Sequence, residues 1–391
     1  MRYLFAGWLL SSVCLFQQAA TRTVADEGLL VIRKGGTYTG VYRSLDSGIP
    51  CIRVETTEPV VLENCTLTGA GDLIKASGGA DLVVRHCRGY GLPPTTDGKP
   101  RGRFLEAYKA RRLLVEHNYL EQTSGIVVDR WSGDGSAGQT LTVRYNQGLN
   151  CDGRFRDGQG SARSSFLLLN TVQHLAGIAV SYNQFINQPD KSAVEDNINF
   201  YDSSGTPASP AQVHDNYVRG AYPFPATKAD FHGTGLTTDG NAQGTAATTA
   251  GYIEAHHNQF VSTCNAAMNI AAGHDIVFHD NRLVTSGLLP DGTPLNATYA
   301  ATAVFNYYKL PADAFARNRV VANTIGYVKA GYNVPFPNRH DLSTGFCAPC
   351  TGTTHLPNPI TLQTEQNEWD LWQQKLRQRQ FYVGPRPPVR K

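Results

Sequence analysis

The chain has 391 residues, 41% hydrophobic and only 17% charged, with 38 Gly, 21 Pro and 2 Met. That profile excludes general disorder and a multi-span membrane protein, and it favours strands and tight turns over helical bundles. A formal net charge of +3 excludes a strongly basic nucleic-acid binder.

Along the chain, Arg2 is followed by a short apolar stretch, Tyr3 to Leu10 and Val13 to Phe16, with small residues at Ala19, Ala20 and Ala25. This predicts a cleaved signal peptide over 1–25, a secreted or periplasmic and cell-envelope location, and no integral membrane span after cleavage. Lipoprotein processing at Cys14 is the alternative, although Val13 is bulky for such a site. Seven cysteines follow the leader. Cys347-Ala-Pro-Cys350 is expected to close a local disulfide, and the odd count leaves at least one thiol free or paired between chains. Residues 26–50, with Gly35-Gly36 and Gly40, are expected to cap one end of the domain.

From there one short pattern recurs: an apolar residue, two polar ones, Asn or Cys, a polar residue, then an apolar one. It reads Leu62…Cys65…Leu67, Val84…Cys87, Val115…Asn118…Leu120, Val143…Asn146, Val180…Asn183…Phe185, Val213…Asn216…Val218, Ala255…Asn258…Phe260 and Phe278…Asn281…Leu283. A weaker copy, one residue shorter, reads Ala316…Asn318…Val320. Irregular steps around a constant strand describe coils stacked in parallel, with insertions confined to loops. Each strand can bury only one face, and Asn side chains stacked at one turn can hydrogen-bond along the stack. Cys65 and Cys87 fall on adjacent coils at the Asn position; a ladder of thiols is preferred over a disulfide, because directly stacked positions seldom have the geometry. After the coils, Trp369, Trp372 and Leu376 within Glu365–Gln380 have helical spacing.

On these repeats the chain resembles the right-handed parallel β-helix proteins of the pectate-lyase-like superfamily. The resemblance implies an all-β, single-stranded β-helix solenoid of about 8–10 coils over residues 26–355, and 356–391 are read as a C-terminal amphipathic helix and basic tail. It names a shape rather than a reaction. The catalytic signatures of polygalacturonases, pectate lyases and mannuronan epimerases are missing, and Phe231-His232-Gly233 lacks the first glycine of a Gly-His-Gly.

Function in coil proteins sits on long loops and outward faces. Two insertions, 190–205 and 228–240, carry the candidate catalytic residues Glu195, Asp196, Asp230, His232 and Asp239, with Asp202 beside them. Paired carboxylates can serve a glycosidase or hold Ca²⁺ with carbonyl oxygens. Glu195 and Asp196 are adjacent in a strand and diverge, so Asp196 with a stacked Asp from the next coil is the better pair. Lys228 or Arg219 would suit a lyase, where a base takes the proton beside a uronate carboxylate and a cation offsets the charge. His256, His257 and His274 are read as outward-facing strand histidines rather than a metal set. Tyr201, Tyr217 and Tyr222 are candidate aromatic platforms. The expectation is an exported carbohydrate-active protein, a polysaccharide lyase or glycoside hydrolase whose partner is a glycan and not nucleic acid. The alternative is a non-catalytic surface protein for binding or adhesion.

Overall fold

The computed structural model describes residues 29–329 and 338–386. The expected signal peptide and the last five residues of the basic tail lie outside them. Up to Thr324–Tyr327 each strand pairs in parallel with the strand three places away along the chain, and the last two strands, Cys350–Thr351 and Thr354–His355, pair with the strands two places before them. Three sheets result: ten strands from Leu30–Ile32 to Thr298–Val304, eleven from Gly36–Tyr38 to Cys350–Thr351, and eleven from Val41–Ser44 to Thr354–His355. Every turn of the chain thus adds one strand to each sheet, which makes a parallel β-helix of about ten coils. Residues 30–44, expected as a cap, form the first coil instead. No helix among the described residues is long and apolar enough to cross a membrane.

The interior is built from rows of like residues in register. In the first sheet Ile52, Ile74, Leu105, Ile126, Leu167, Ile198, Leu236 and Met268 stack one above another. In the second, Leu62, Val84, Val115, Val143, Val180 and Val213 do the same. Both rows are buried and supply the apolar contact that an isolated coil lacks. Where a row would overfill, a glycine stands in it: a Cβ on Gly148 would come within 2.4 Å of Phe166, whose ring stacks on Phe185 at 4.5 Å.

The turn between the second and third sheets carries the repeating Asn. Asn118, Asn146, Asn183, Asn216, Asn258 and Asn281 are fully buried. Each donates its backbone N–H and its Nδ2 to the Oδ1 of the next Asn at 2.8–3.0 Å. Each Nδ2 also reaches back to a carbonyl of the preceding coil, as from Asn216 to Val180 at 2.9 Å. The residue before each ladder position is left-handed, with φ from +52° to +56° from Asn64 to Ala322. Asn and Asp tolerate that conformation, whereas the His, Tyr and Ala found in other coils adopt it at a cost that the ladder bonds offset. The ladder ends on Asn323 rather than Asn318. Asn318 instead bonds the Gly273 carbonyl at 2.9 Å and the Ile276 N–H at 3.2 Å, at a different turn. Cys65 and Cys87 head the column as free, buried thiols, with Cys87 N–H donating to Asn118 Oδ1 at 2.9 Å. Cys347 and Cys350 form the expected disulfide.

The helix spans Leu362–Arg379, starting three residues before the expected Glu365, and Thr361 caps its N-terminus. It lies along the side of the third sheet, not over the end of the rod. Trp372 is buried, donates Nε1–H to Gln184 at 2.9 Å and packs on Tyr217. Glu368 receives Arg282 through contacts of 2.7–3.0 Å, and Glu365 accepts the N–H and hydroxyl of Ser286, both at 2.7 Å. Burying two carboxylates under a helix is tolerable because each has donors in place.

Asn216→Ala should lower the unfolding free energy by about 3 kcal/mol, because it orphans the Asn183 N–H and the Val180 carbonyl together. Chemical denaturation measures it, and a loss below about 0.5 kcal/mol would show that the ladder is dispensable.

Candidate functional site

Glu195 immediately precedes the strand Asp196–Tyr201, and the chain then leaves the third sheet through residues 222–233 before entering the next first-sheet strand, Thr234–Asp239. The Glu195 carbonyl accepts the N–H groups of Gly233 and Thr234, both at 3.0 Å, so the end of that loop is pinned to the preceding coil. Gly233 is required there: its φ is +95°, and a Cβ would lie 2.2 Å from the Ala221 carbonyl oxygen.

The pinned loop brings His232 beside Glu195. His232 Nδ1 lies 2.9 Å from Glu195 Oε2, and its Nε2 lies 3.2 Å from Asp230 Oδ1. Lys228 Nζ donates to the other Asp230 oxygen at 3.0 Å. The four groups form one chain, Lys228–Asp230–His232–Glu195, along a cleft of about 330 Å³. His232 is half exposed, so the chain is open to a ligand.

The cleft is also lined by Arg154, which sits on the insertion after the strand Gln147–Leu149. Asp152 is buried and holds Arg154 through contacts of 2.8 and 2.9 Å, while the guanidinium lies 4.5 Å from the centroid of the Phe224 ring. Asp152 also takes Arg101 Nε–H at 3.1 Å. Arg101 lines a second cavity of about 260 Å³ with Lys99, Arg103, Arg163, Asp72 and Glu106, and Ala162 borders both cavities.

Asp196 lies behind this cleft rather than in it. Its stacked partner on the next coil is Thr234, not the Asp that the sequence suggested. The carboxylate accepts the Thr234 hydroxyl, the Thr237 hydroxyl at 3.0 Å and Asn199 Nδ2 at 2.8 Å. Burial pushes its pKa up to about 6; the Thr234 hydrogen bond works against the shift, and the charges of Glu195 and Asp239 add to it. Asp239 does not line the cleft and accepts Tyr308 Oη–H at 2.6 Å. Burial likewise pushes Asp202 up to about 6; the bond from Asn241 opposes this and the Asp239 charge assists it.

Of the five catalytic candidates, then, Glu195, Asp230 and His232 converge, and Asp196 and Asp239 do not. Lys228 joins the cleft, whereas Arg219 is drawn toward Glu365 beneath the helix at 3.7 Å. Arg154 was missed; the wide 146–183 step of the repeat was its only signal. Tyr217 and Tyr222 are no platforms. The first is buried under Trp369 and Trp372, and the second is buried with its hydroxyl 3.0 Å from Ser262 Oγ. The histidines stay on the second-sheet side: His256 stacks between His214 and His279 at 5.1 and 5.0 Å, and His274 binds Asp275 and the Ala246 carbonyl. Among the described residues no three His, Cys, Asp or Glu side chains come together as a group that could hold a metal ion.

No family model and no curated protein matches the chain. Among solved structures it is similar to a mannuronic-acid-specific polysaccharide family 6 lyase from human gut microbiota, at 12% identity and a TM-score of 0.35, over 93% of this chain and 92% of that one. A likeness so loose places no residue.

The raised Asp196 pKa has a stability consequence. Its folded value of about 6 exceeds the 3.8 of an ordinary aspartate, so the folded state holds the proton more tightly. Asp196 is therefore least costly below pH 4, and its cost grows as pH rises to 6. Asp196→Asn should gain about 3 kcal/mol relative to wild type between pH 4 and pH 7, read by denaturation at each pH. A difference independent of pH would mean that the folded carboxyl titrates normally.

Proposed function

We propose that the cleft is an acid–base site acting on an acidic polysaccharide, and that the reaction is β-elimination at a uronate unit. The observation that carries the reading is the Lys228–Asp230–His232–Glu195 chain facing a cleft that also holds the fixed Arg154 guanidinium.

Elimination takes the proton beside the uronate carboxylate, breaks the bond from the β-carbon to the glycosidic oxygen, and returns a proton to that oxygen. Arg154 and Lys228 offset the carboxylate charge that builds as the proton leaves. Glu195 orients the His232 ring through Nδ1. With its one proton on Nδ1 and donated to Glu195, the neutral ring carries none on Nε2; a sugar that displaces the longer contact with Asp230 meets that free lone pair, which takes the proton and then delivers it to the leaving oxygen. Asp230 keeps Lys228 as its partner throughout. The second cavity, with Lys99, Arg101, Arg103 and Arg163 against Asp72 and Glu106, suits a neighbouring acidic unit, and Asp152 ties one arginine of each cavity to a single carboxylate. Action outside the cytoplasm belongs to this reading, and the Cys347–Cys350 disulfide supports it.

The test incubates the chain with neutral and uronate polysaccharides, with Ca²⁺ and with chelator, and follows unsaturated-product absorbance and new reducing ends. Absorbance should grow on a uronate polymer. His232→Ala and Glu195→Gln should each cut kcat by at least about 100-fold, with circular dichroism unchanged. Lys228→Ala should chiefly raise KM. Reducing ends without absorbance would replace elimination by hydrolysis. Silence on every polymer, with the protein folded, would leave a non-catalytic binding rod.

A further inference from the structure

Five aromatic side chains among the described residues are strongly exposed: Phe224 at 47%, Phe231 at 51%, Tyr307 at 64%, Phe346 at 50% and Phe381 at 37%. The first four are not scattered. Phe224 lines the cleft, and Phe231 adjoins His232. Phe231 meets Tyr299 edge-on at 6.4 Å, and Tyr299 Oη lies 2.8 Å from Ser343 Oγ. The Ser343 carbonyl accepts the Phe346 N–H at 3.1 Å. Phe346 then lies 5.8 Å from Phe305, which lies 5.9 Å from Tyr307. A continuous line of contacts therefore leads from the acid–base cleft to Tyr307, across the last first-sheet strand, Thr298–Val304.

The far end of this line is held rigidly. The Phe305 and Tyr307 N–H groups are bonded to the Ile270 and Ala271 carbonyls at 3.0 and 3.1 Å. Asn306 closes the loop with Leu310 through contacts of 2.7 and 2.8 Å, and Asp239 fixes the neighbouring Tyr308. A loop whose backbone is fixed in advance and whose rings are left uncovered loses little freedom when a ligand arrives, which is what a binding platform needs.

We propose that the run from Phe231 through Phe346 to Tyr307 is a glycan-binding platform, on which pyranose units beyond the cleft stack their C–H faces. The proposal rests on the reading of the cleft as a polysaccharide site, since the run begins at Phe231, beside His232. It adds that the bound polymer meets charge at the cleft and aromatic rings beyond it. Long oligosaccharides then gain affinity from units that never approach His232, and short ones do not.

Titration calorimetry on the full chain tests this, with polymannuronate, polygalacturonate and cello-oligosaccharides, each as disaccharide and as octasaccharide. Tyr307→Ala combined with Phe346→Ala should weaken octasaccharide binding on the order of tenfold and leave disaccharide binding unchanged. Tyr307→Trp should restore most of the loss. Octasaccharide binding unaffected by the double substitution would overturn the platform. So would a shift from dimer to monomer in the double variant without loss of glycan affinity, which would make the patch a self-association face. Turnover failing while the double variant still loses octasaccharide affinity would sink the catalytic reading and leave the platform standing. Absence of binding to every probe by the wild type would sink both.

Discussion

Everything in this molecule depends on the register in which one coil sits upon the next, and the buried asparagine column sets that register. An amide side chain can accept from one neighbour and donate to others at once. From Asn118 to Asn323, each one locks its turn to the coils on both sides. A slip by one residue would turn the Ile and Val rows outward and leave a column of buried amides without partners. The left-handed residues beside the column are affordable only because the same bonds recur on every coil.

With register secured, length variation is pushed outward. The coils can carry insertions of any size between strands without disturbing the interior, and the candidate site is assembled from such insertions. Arg154, Glu195 and the 228–232 segment belong to different coils, and parallel stacking sets them side by side. The carbonyl of Glu195 is part of the scaffold while its carboxylate is part of the site. That shared residue is how a repetitive frame holds an irregular constellation in place.

Charge is distributed along the same logic. Carboxylates that serve the fold are buried with donors, as Asp152, Glu365 and Glu368 are, whereas those lining the candidate cleft stay partly open, as Glu195 and Asp230 do. Asp196 belongs to the first group, although it neighbours Glu195 in the chain. Its hydroxyl and amide partners steady the strand behind the cleft.

The coil architecture was legible in the sequence because it is encoded locally: the spacing of an apolar residue, an Asn and a second apolar residue states both the strand and its turn. Even the last copy, Val320…Asn323…Ile325, obeys that spacing, and Asn318 misled only because it sits near an apolar residue of its own and plays a similar part at another turn. The helix was legible for the same reason, from Trp372 and Leu376. The site was half legible. Glu195, Asp230 and His232 stood out as polar groups on long insertions, but the sequence held no relation that would join Arg154 to them or remove Asp239. Tyr217 and Tyr222 looked exposed until a helix more than a hundred residues later, and a packed loop, covered them. What repeats along a chain is written in its spacing; which loops meet across coils follows from stacking and burial, and only the tertiary structure decides it.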